Sequence, residues 1–296
     1  MIEYLQQSIK CLAGPVRGLV KLNQEKGCIF HVWGAILNTG GNKQNGLKEQ
    51  KMGIGDRLDT IEKLIKAGVD EKGAAEILTL MGVCNFPLET LTGLRLYSEV
   101  LPKVAEYEFT DSQRYLHFLW DALDKSPICI NVDFAIPFRR MIARALFKKC
   151  GKNFIAEENC RFNFGQAIEL GDDVFFNRGV YIDSKGGVAI GDGVGLTENV
   201  QIFTHSHSES DHEIRSYAKV IIGNYALVFS GAIILPGVTI GDEAIVSAKS
   251  IVTHDVEPGT VVSGSPAQPV RKRYTDGRRY SELNHVWLAN AAFQDE

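Results

Sequence analysis

Hydrophobic positions in the C-terminal half of the chain recur every six residues. Ile222, Val228, Ile234, Ile240, Val246 and Val252 stand six apart without a miss, a spacing that neither an α-helix, with its period of about 3.6, nor a pleated strand, with its period of about 2, requires. The same phase runs through Leu170, Phe176 and Ile182 and, after one eight-residue step, through Ile190, Leu196 and Ile202. Short strands joined by corners predict a three-sided prism, three hexads to a coil, with coils stacked at the strand spacing of about 4.8 Å. The inward Ile, Val and Leu residues then form ladders that no single repeat could bury alone. Gly171, Gly191, Gly223 and Gly241 directly follow core positions, where a corner needs unusual backbone angles or close approach of two backbones. Small or β-branched residues two places before the core position, among them Val220, Ala226, Ala232 and Ala244, fit a tight interior.

Up to about residue 149 the pattern is mainly helical. Residues 3–13 and 16–25 carry apolar side chains at helical spacing on either side of Gly14-Pro15, and residues 38–55, rich in Gly, Asn, Gln and Lys, read as a mobile linker. Asp56 is the expected N-cap for a helix over 57–67, Asp70 for 71–81 and Asp111 for 112–123, the last with Tyr115, Leu119, Ala122 and Leu123 on one side. Residues 138–150 predict the helix that leads into the prism, ended by Gly151, and residues 278–293 a final helix outside it. The expected class is α+β: a helical region over 1–150, a β-helix over 151–273 and a short helical tail over 274–296. Trp33, His31 and His117 are assigned to core or interface.

Composition narrows the function without naming it. A chain of 296 residues, 45% apolar, can bury a substantial core. A net charge of −4 with no long basic block argues against nucleic acid and anionic membrane as partners. Cys11, Cys28, Cys84, Cys129, Cys150 and Cys160 lack C-x-x-C spacing, so neither a zinc site nor a disulfide framework is indicated, and a reducing cytoplasm is the expected location. No cationic segment followed by an apolar run and a cleavage site opens the chain, and no apolar stretch approaches 18 residues in length; a soluble, unexported protein is expected.

The repeats also carry a resemblance. On Ile182-Asp-Ser-Lys-Gly-Gly-Val-Ala-Ile-Gly-Asp192, Thr204-His-Ser-His207, Ile233-Ile-Leu-Pro-Gly-Val-Thr-Ile-Gly-Asp242, Ser250-Ile-Val-Thr253 and Gly264-Ser-Pro-Ala267, residues 140–273 resemble the hexapeptide-repeat acyltransferases. Within these they resemble the galactoside, maltose and polysaccharide O-acetyltransferases. The resemblance implies a left-handed parallel β-helix, a homotrimer with sites between subunits, acetyl-CoA as cosubstrate, a hydroxyl of a saccharide-type acceptor, and no metal.

The chemistry is expected where the repeat breaks. Between Ile202 and Ile222 the chain makes a polar excursion, residues 204–219, that holds three of its seven histidines; a loop interrupting a rigid scaffold is where function is usually carried. A sugar hydroxyl is hardly ionised at neutral pH, so acyl transfer needs a base, and histidine suits it. The family's base falls by hexad phase on His207, with His205 as the alternative. Carried over in the same way, Asn177, Asp183 and Asn163 are acceptor contacts, Ser230 contributes an oxyanion-binding backbone N–H, and Ser230, Ala248, Thr253, His254, Lys249 and Arg271 contact coenzyme A. Leu227, Phe229, Ser247 and Lys249 depart from the family pattern and narrow the expected pantetheine channel, and His254, a poorer partner for phosphate, stands where relatives usually have Lys. A zinc carbonic anhydrase of the same fold fails because no His lies between His117 and His205 to supply a third ligand. A serine-acetyltransferase-like enzyme lacks its Asp-His-Ala and Gly-Gly-Thr-Gly-Lys motifs here and is kept as the runner-up, beside a catalytically inert scaffold.

Overall fold

The structure, a computed structural model, describes residues 52–83, 86–100, 108–283, 285–287 and 294–295. The helices expected over 3–13 and 16–25, with Trp33 and His31, lie outside the described residues. The chain divides into residues 1–50 and a compact unit over 51–296.

Helix starts follow local chemistry, though not always at the expected residue. Ile54–Ala67 turns Ile61 and Ile65 inward; Gly53 is its N-cap, and Asp56 sits inside the first turn, where Oδ2 accepts the Gly53 N–H at 3.1 Å. The last residues of the expected linker are therefore helical. Asp70 caps Glu71–Leu80 as expected, accepting the Gly73 N–H at 2.8 Å. Asp111 does not cap Asp111–Leu123. Thr110 does, in a reciprocal box with Gln113 at 3.2 and 3.0 Å. Both displaced caps have one cause: free N–H groups and the helix dipole favour an acidic side chain throughout the first turn, so an aspartate marks a start only to within a turn.

The lead-in helix runs Val132–Leu146, not 138–150. Asn131 caps it, accepting the Asp133 N–H at 3.1 Å, and Pro137 lies within it rather than before it. It ends early because Lys149 already bridges Glu169 in parallel, and Gly151 N donates to Leu170 O at 3.2 Å, so Gly151 belongs to the first coil. Helices and coil share one core. Trp120 Nε1 donates to Cys160 O at 2.7 Å, Arg140 Nε donates to Phe154 O at 2.9 Å, and the buried Arg139 is paired with the buried Asp124.

The prism is a left-handed parallel β-helix of about five turns. One side stacks Ile168–Leu170, Val188–Ile190, Val220–Ile222 and Thr239–Ile240; a second runs from Ile155–Ala156 to Thr260–Gly264, and a third from Arg161–Phe162 to Ile251–Val252. The predicted ladders are in register: Leu170 over Ile190 over Ile222 over Ile240, and Ile182 over Ile202 over Ile234 over Val252. All of these residues are buried.

The corner glycines serve close approach. A Cβ on Gly171 would lie 2.8 Å from Gly191 C, and one on Gly223 would lie 2.9 Å from Gly241 C. Positive φ falls two residues later, at Asp173, Gly193, Tyr225 and Glu243. The residue after each glycine binds the coil before it: Asp192 Oδ1 accepts the Asp172 N–H at 2.8 Å, and Asn224 Oδ1 accepts the Asp192 N–H at 2.8 Å.

The last coil strand, Thr260–Gly264, turns back into antiparallel Ala267–Lys272, which ends the repeat. The tail does not show the expected helix over 278–293. Among its described residues there is a 3-10 turn, Tyr280–Glu282, and Trp287 stacks on Phe175 with ring centroids 5.2 Å apart; part of the expected span lies outside the described residues.

His117, on the Asp111–Leu123 helix, makes the packing of that helix on the first coil sensitive to pH. Its Nε2 accepts the Gly165 N–H at 3.1 Å, and burial lowers its pKa to about 4. The unfolded chain, with an ordinary histidine pKa of about 6.5, binds the proton first as pH falls, so stability is full above about 6.5 and is lost toward about 4. Urea unfolding at pH 7 and pH 5 should differ by roughly 2 kcal/mol through this group, and His117→Gln should flatten the dependence. Equal slopes in the two proteins would show that His117 is not the titrating group.

Candidate active site

Three successive coils widen at one corner, between the third side and the first. Phe162 to Leu170 and Ile182 to Ile190 each span eight residues instead of six, and Ile202 to Ile222 spans twenty; Ile234 to Ile240 returns to six. Because Phe162, Ile182 and Ile202 remain in register, the extra residues stack on one another. Ser184 Oγ donates to Phe164 O at 2.8 Å and accepts the Phe164 N–H at 3.0 Å. Thr204 Oγ1 donates to Asp183 O at 2.7 Å and accepts the Gly186 N–H at 2.7 Å.

The longest insertion folds as a two-stranded antiparallel ribbon. His205–His207 pairs with Arg215–Tyr217, with His207 opposite Arg215 and His205 opposite Tyr217. The imidazoles of His205 and His207 lie with centroids 5.1 Å apart, edge to face. Each is anchored through Nδ1, but to a different partner.

His207 Nδ1 lies 2.6 Å from the His212 carbonyl oxygen. A carbonyl can only accept, so Nδ1 carries a proton, and in the neutral imidazole the lone pair is on Nε2. The ring is exposed. That is the tautomer in which Nε2 can take a proton.

His205 is more enclosed and its Nδ1 meets the Asp183 carboxylate. Asp183, 1% exposed, also accepts from Asn163 Nδ2 at 2.9 Å and from Lys185 Nζ at 2.9 Å. Both its oxygens are occupied by protein. Burial lowers the His205 pKa below the ordinary value; the Asp183 carboxylate works against this, and the Lys185 charge adds to it. Two of the expected acceptor contacts, Asn163 and Asp183, are thus brought together with His205, and Lys185, Thr204, Ser184 and the His212 carbonyl join them. The sequence signal for Ser184 and Lys185 was the eight-residue step from Ile182 to Ile190, and for Thr204 and His212 the twenty-residue break from Ile202 to Ile222.

The remaining expected residues lie elsewhere on the chain. Asn177 follows Phe176 on the second side and uses Oδ1 to accept the Arg178 N–H at 2.7 Å. Ser230 is at the same corner one coil beyond Thr197, bonded to Thr197 Oγ1 at 3.1 Å and donating to Glu198 at 2.6 Å. Ala248 and Lys249 are exposed at that corner in the following coil. His254 and Arg271 line one cleft of roughly 670 Å³ near the end of the prism, together with Lys272. Thr253 Oγ1 is 2.8 Å from His254 Nδ1. Among the described residues no group of three His, Cys, Asp or Glu side chains is placed to hold a metal ion, and no helix is long and apolar enough to cross a membrane.

No protein-family model matches the chain. Among curated proteins it is 32% identical over 139 residues to the galactoside O-acetyltransferase of Escherichia coli strain K12, covering 45% of this chain and 68% of that protein. A solved galactoside acetyltransferase in complex with coenzyme A is similar with a TM-score of 0.51 and 25% identity, over 67% of this chain and 96% of that one. A hexapeptide-repeat acetyltransferase from Vibrio cholerae has a TM-score of 0.50 and 27% identity, over 59% and 100%.

Thr204, itself buried, ties the corner to the ribbon's base with one buried and one half-buried hydrogen bond. Thr204→Val keeps the shape and leaves both partners unsatisfied, so it should cost ~1–3 kcal/mol per group left unpaired. Thermal unfolding measures it, and a change within about 0.5 kcal/mol would mean that the corner rests on other contacts.

Proposed function

Because the chain belongs to the galactoside O-acetyltransferase family of hexapeptide-repeat enzymes, we propose that it moves an acetyl group from acetyl-CoA to a hydroxyl of a saccharide-type acceptor, with His207 as the general base. It is a coenzyme A-dependent acetyltransferase. The observation that carries the choice of base is the His207 Nδ1 bond to the His212 carbonyl, which fixes the tautomer with its lone pair on Nε2. In the reaction His207 Nε2 takes the hydroxyl proton as the oxygen attacks the thioester carbonyl; the C–S bond then breaks, and the thiolate leaving group takes that proton back from the imidazolium. A backbone N–H at Ser230 is the proposed oxyanion donor. No covalent enzyme intermediate is required.

Coenzyme A is proposed to run along the later coils past Ser230, Ala248 and Lys249 toward the cleft of Thr253, His254 and Arg271. The residues fit such a ligand: Arg271 and Lys272 bring cationic side chains to that cleft, suited to phosphate, and His254 lines it beside them. Asn177 and Ser230 stand at a different corner from His207, which supports a site completed by a neighbouring subunit in a homotrimer, with 151–273 as the acyltransferase portion and the cytoplasm as its location.

His207→Ala should lower kcat about 10²- to 10⁴-fold in a thiol-release assay, with coenzyme A affinity and melting temperature unchanged. A near wild-type His207→Ala beside an inactive His205→Ala would move the base to His205. No thiol release with any sugar, nucleotide sugar or amino acid would favour the inert scaffold, and release with serine alone would favour the serine-acetyltransferase-like reading. Light scattering should give a trimer. An active monomer of 32.7 kDa would remove the shared site.

A further inference from the structure

The His205 unit is not needed by a mechanism in which His207 removes the proton, yet it is the most completely built polar cluster at the widened corner. A carboxylate that is 1% exposed and a lysine that is 9% exposed are costly to bury unless each is paired. Here they pair with each other at 2.9 Å, and the Asp183 oxygen not used by Lys185 faces His205 Nδ1. The groups that face His205 are Asp183 and Lys185 from the corner of the preceding coil, His207 on its own strand and Tyr217 on the opposite strand of the ribbon, whose ring lies 6.4 Å away. Asn163, one coil further back, holds the same carboxylate at 2.9 Å.

An aspartate alone behind a histidine raises its basicity and favours the imidazolium; a buried cation beside the aspartate cancels that effect. We propose that Asp183, Lys185 and His205 form a charge-balanced unit in which Lys185 neutralises the carboxylate, so that His205 stays a neutral imidazole with Nδ1–H on Asp183 and Nε2 free to accept a hydrogen bond from a hydroxyl of the acceptor beside His207. The acceptor class this favours is a polyol with neighbouring hydroxyls, one held by His205 and one deprotonated by His207. This rests on His207 being the base. Asp183 and Lys185 are positioning residues, reaching the acceptor only through His205. Burial is the main cause that lowers the His205 pKa; the Asp183 carboxylate opposes it and Lys185 offsets part of that opposition, a direction that agrees with a neutral imidazole.

The test is an imidazole ¹H–¹⁵N NMR titration of the full chain, with the His205 signals identified by their loss in His205→Gln. In the wild type His205 should be the Nδ1–H tautomer and neutral at pH 7. Lys185→Met should raise its midpoint by about one unit or more, because the carboxylate then faces the imidazolium alone. Asp183→Asn should lower it, and Lys185→Arg should restore the wild-type value. An Nε2–H tautomer in the wild type, or midpoints unmoved in both Lys185→Met and Asp183→Asn, overturns the proposal without reference to activity, and the wild-type tautomer is readable even if a variant does not fold. With an acceptor that turns over, Asp183→Asn should raise KM about tenfold, the worth of one hydrogen bond of about 1.4 kcal/mol, with kcat little changed. A fall in kcat at constant KM would make His205 the base and overturn both readings. An inactive His207→Ala together with an unchanged KM in Asp183→Asn would overturn this one alone.

Discussion

Each coil of the prism buries its inward side chains against its neighbours in the stack, so every residue that departs from the six-residue step must leave the stack at a corner without disturbing the register. That constraint organises the rest of the molecule. Ile182, Ile202, Ile234 and Val252 stay superimposed although the chain between the second and third of them contains the whole ribbon. The same rule forces glycine at the close corners, where backbone meets backbone at distances no Cβ tolerates, and it makes Asp192 and Asn224 each serve a neighbouring coil's N–H.

Insertions confined to one corner stack on each other, and this is how residues distant in sequence come to share a site. Asn163, Asp183 and His205 come from three coils and meet because their coils are in register. Small insertions in the first two coils supply buried polar groups, and the large one in the third supplies the histidines. A rigid ladder thus carries a polar cluster whose members are fixed by hydrogen bonds rather than by loop flexibility, which is the condition for preorganised chemistry.

The helices before the prism are part of its stability. Its first coil has no coil before it, and its open end is covered by the Asp111–Leu123 and Val132–Leu146 helices through Trp120, Phe147 and Phe162, whose rings pack 5.0–6.1 Å apart. Covering a terminal repeat in this way is what a stacked architecture requires, since the end coil would otherwise expose a core face. At the far end the antiparallel Ala267–Lys272 strand pairs with the backbone edge of Thr260–Gly264.

What the sequence determined was whatever repeats or is local. The hexad phase gave the ladders, the coil order and the corner at which the repeat fails, because an apolar period is a direct image of burial; Asp70 as a cap was legible because capping needs only the next three residues. Helix boundaries at Asp56, Asp111 and Pro137 were misplaced because an acidic first turn and a proline are each compatible with more than one register, and neighbouring packing selects among them. The pairing of Asp183 with Lys185 and His205, the tautomer of His207 set by the His212 carbonyl, and the separation of Asn177 and Ser230 from the histidines were decided by tertiary structure alone. A six-residue period states which side chains point inward; only the stacking of coils, through contacts between residues some 20 positions apart, decides which polar groups face one another.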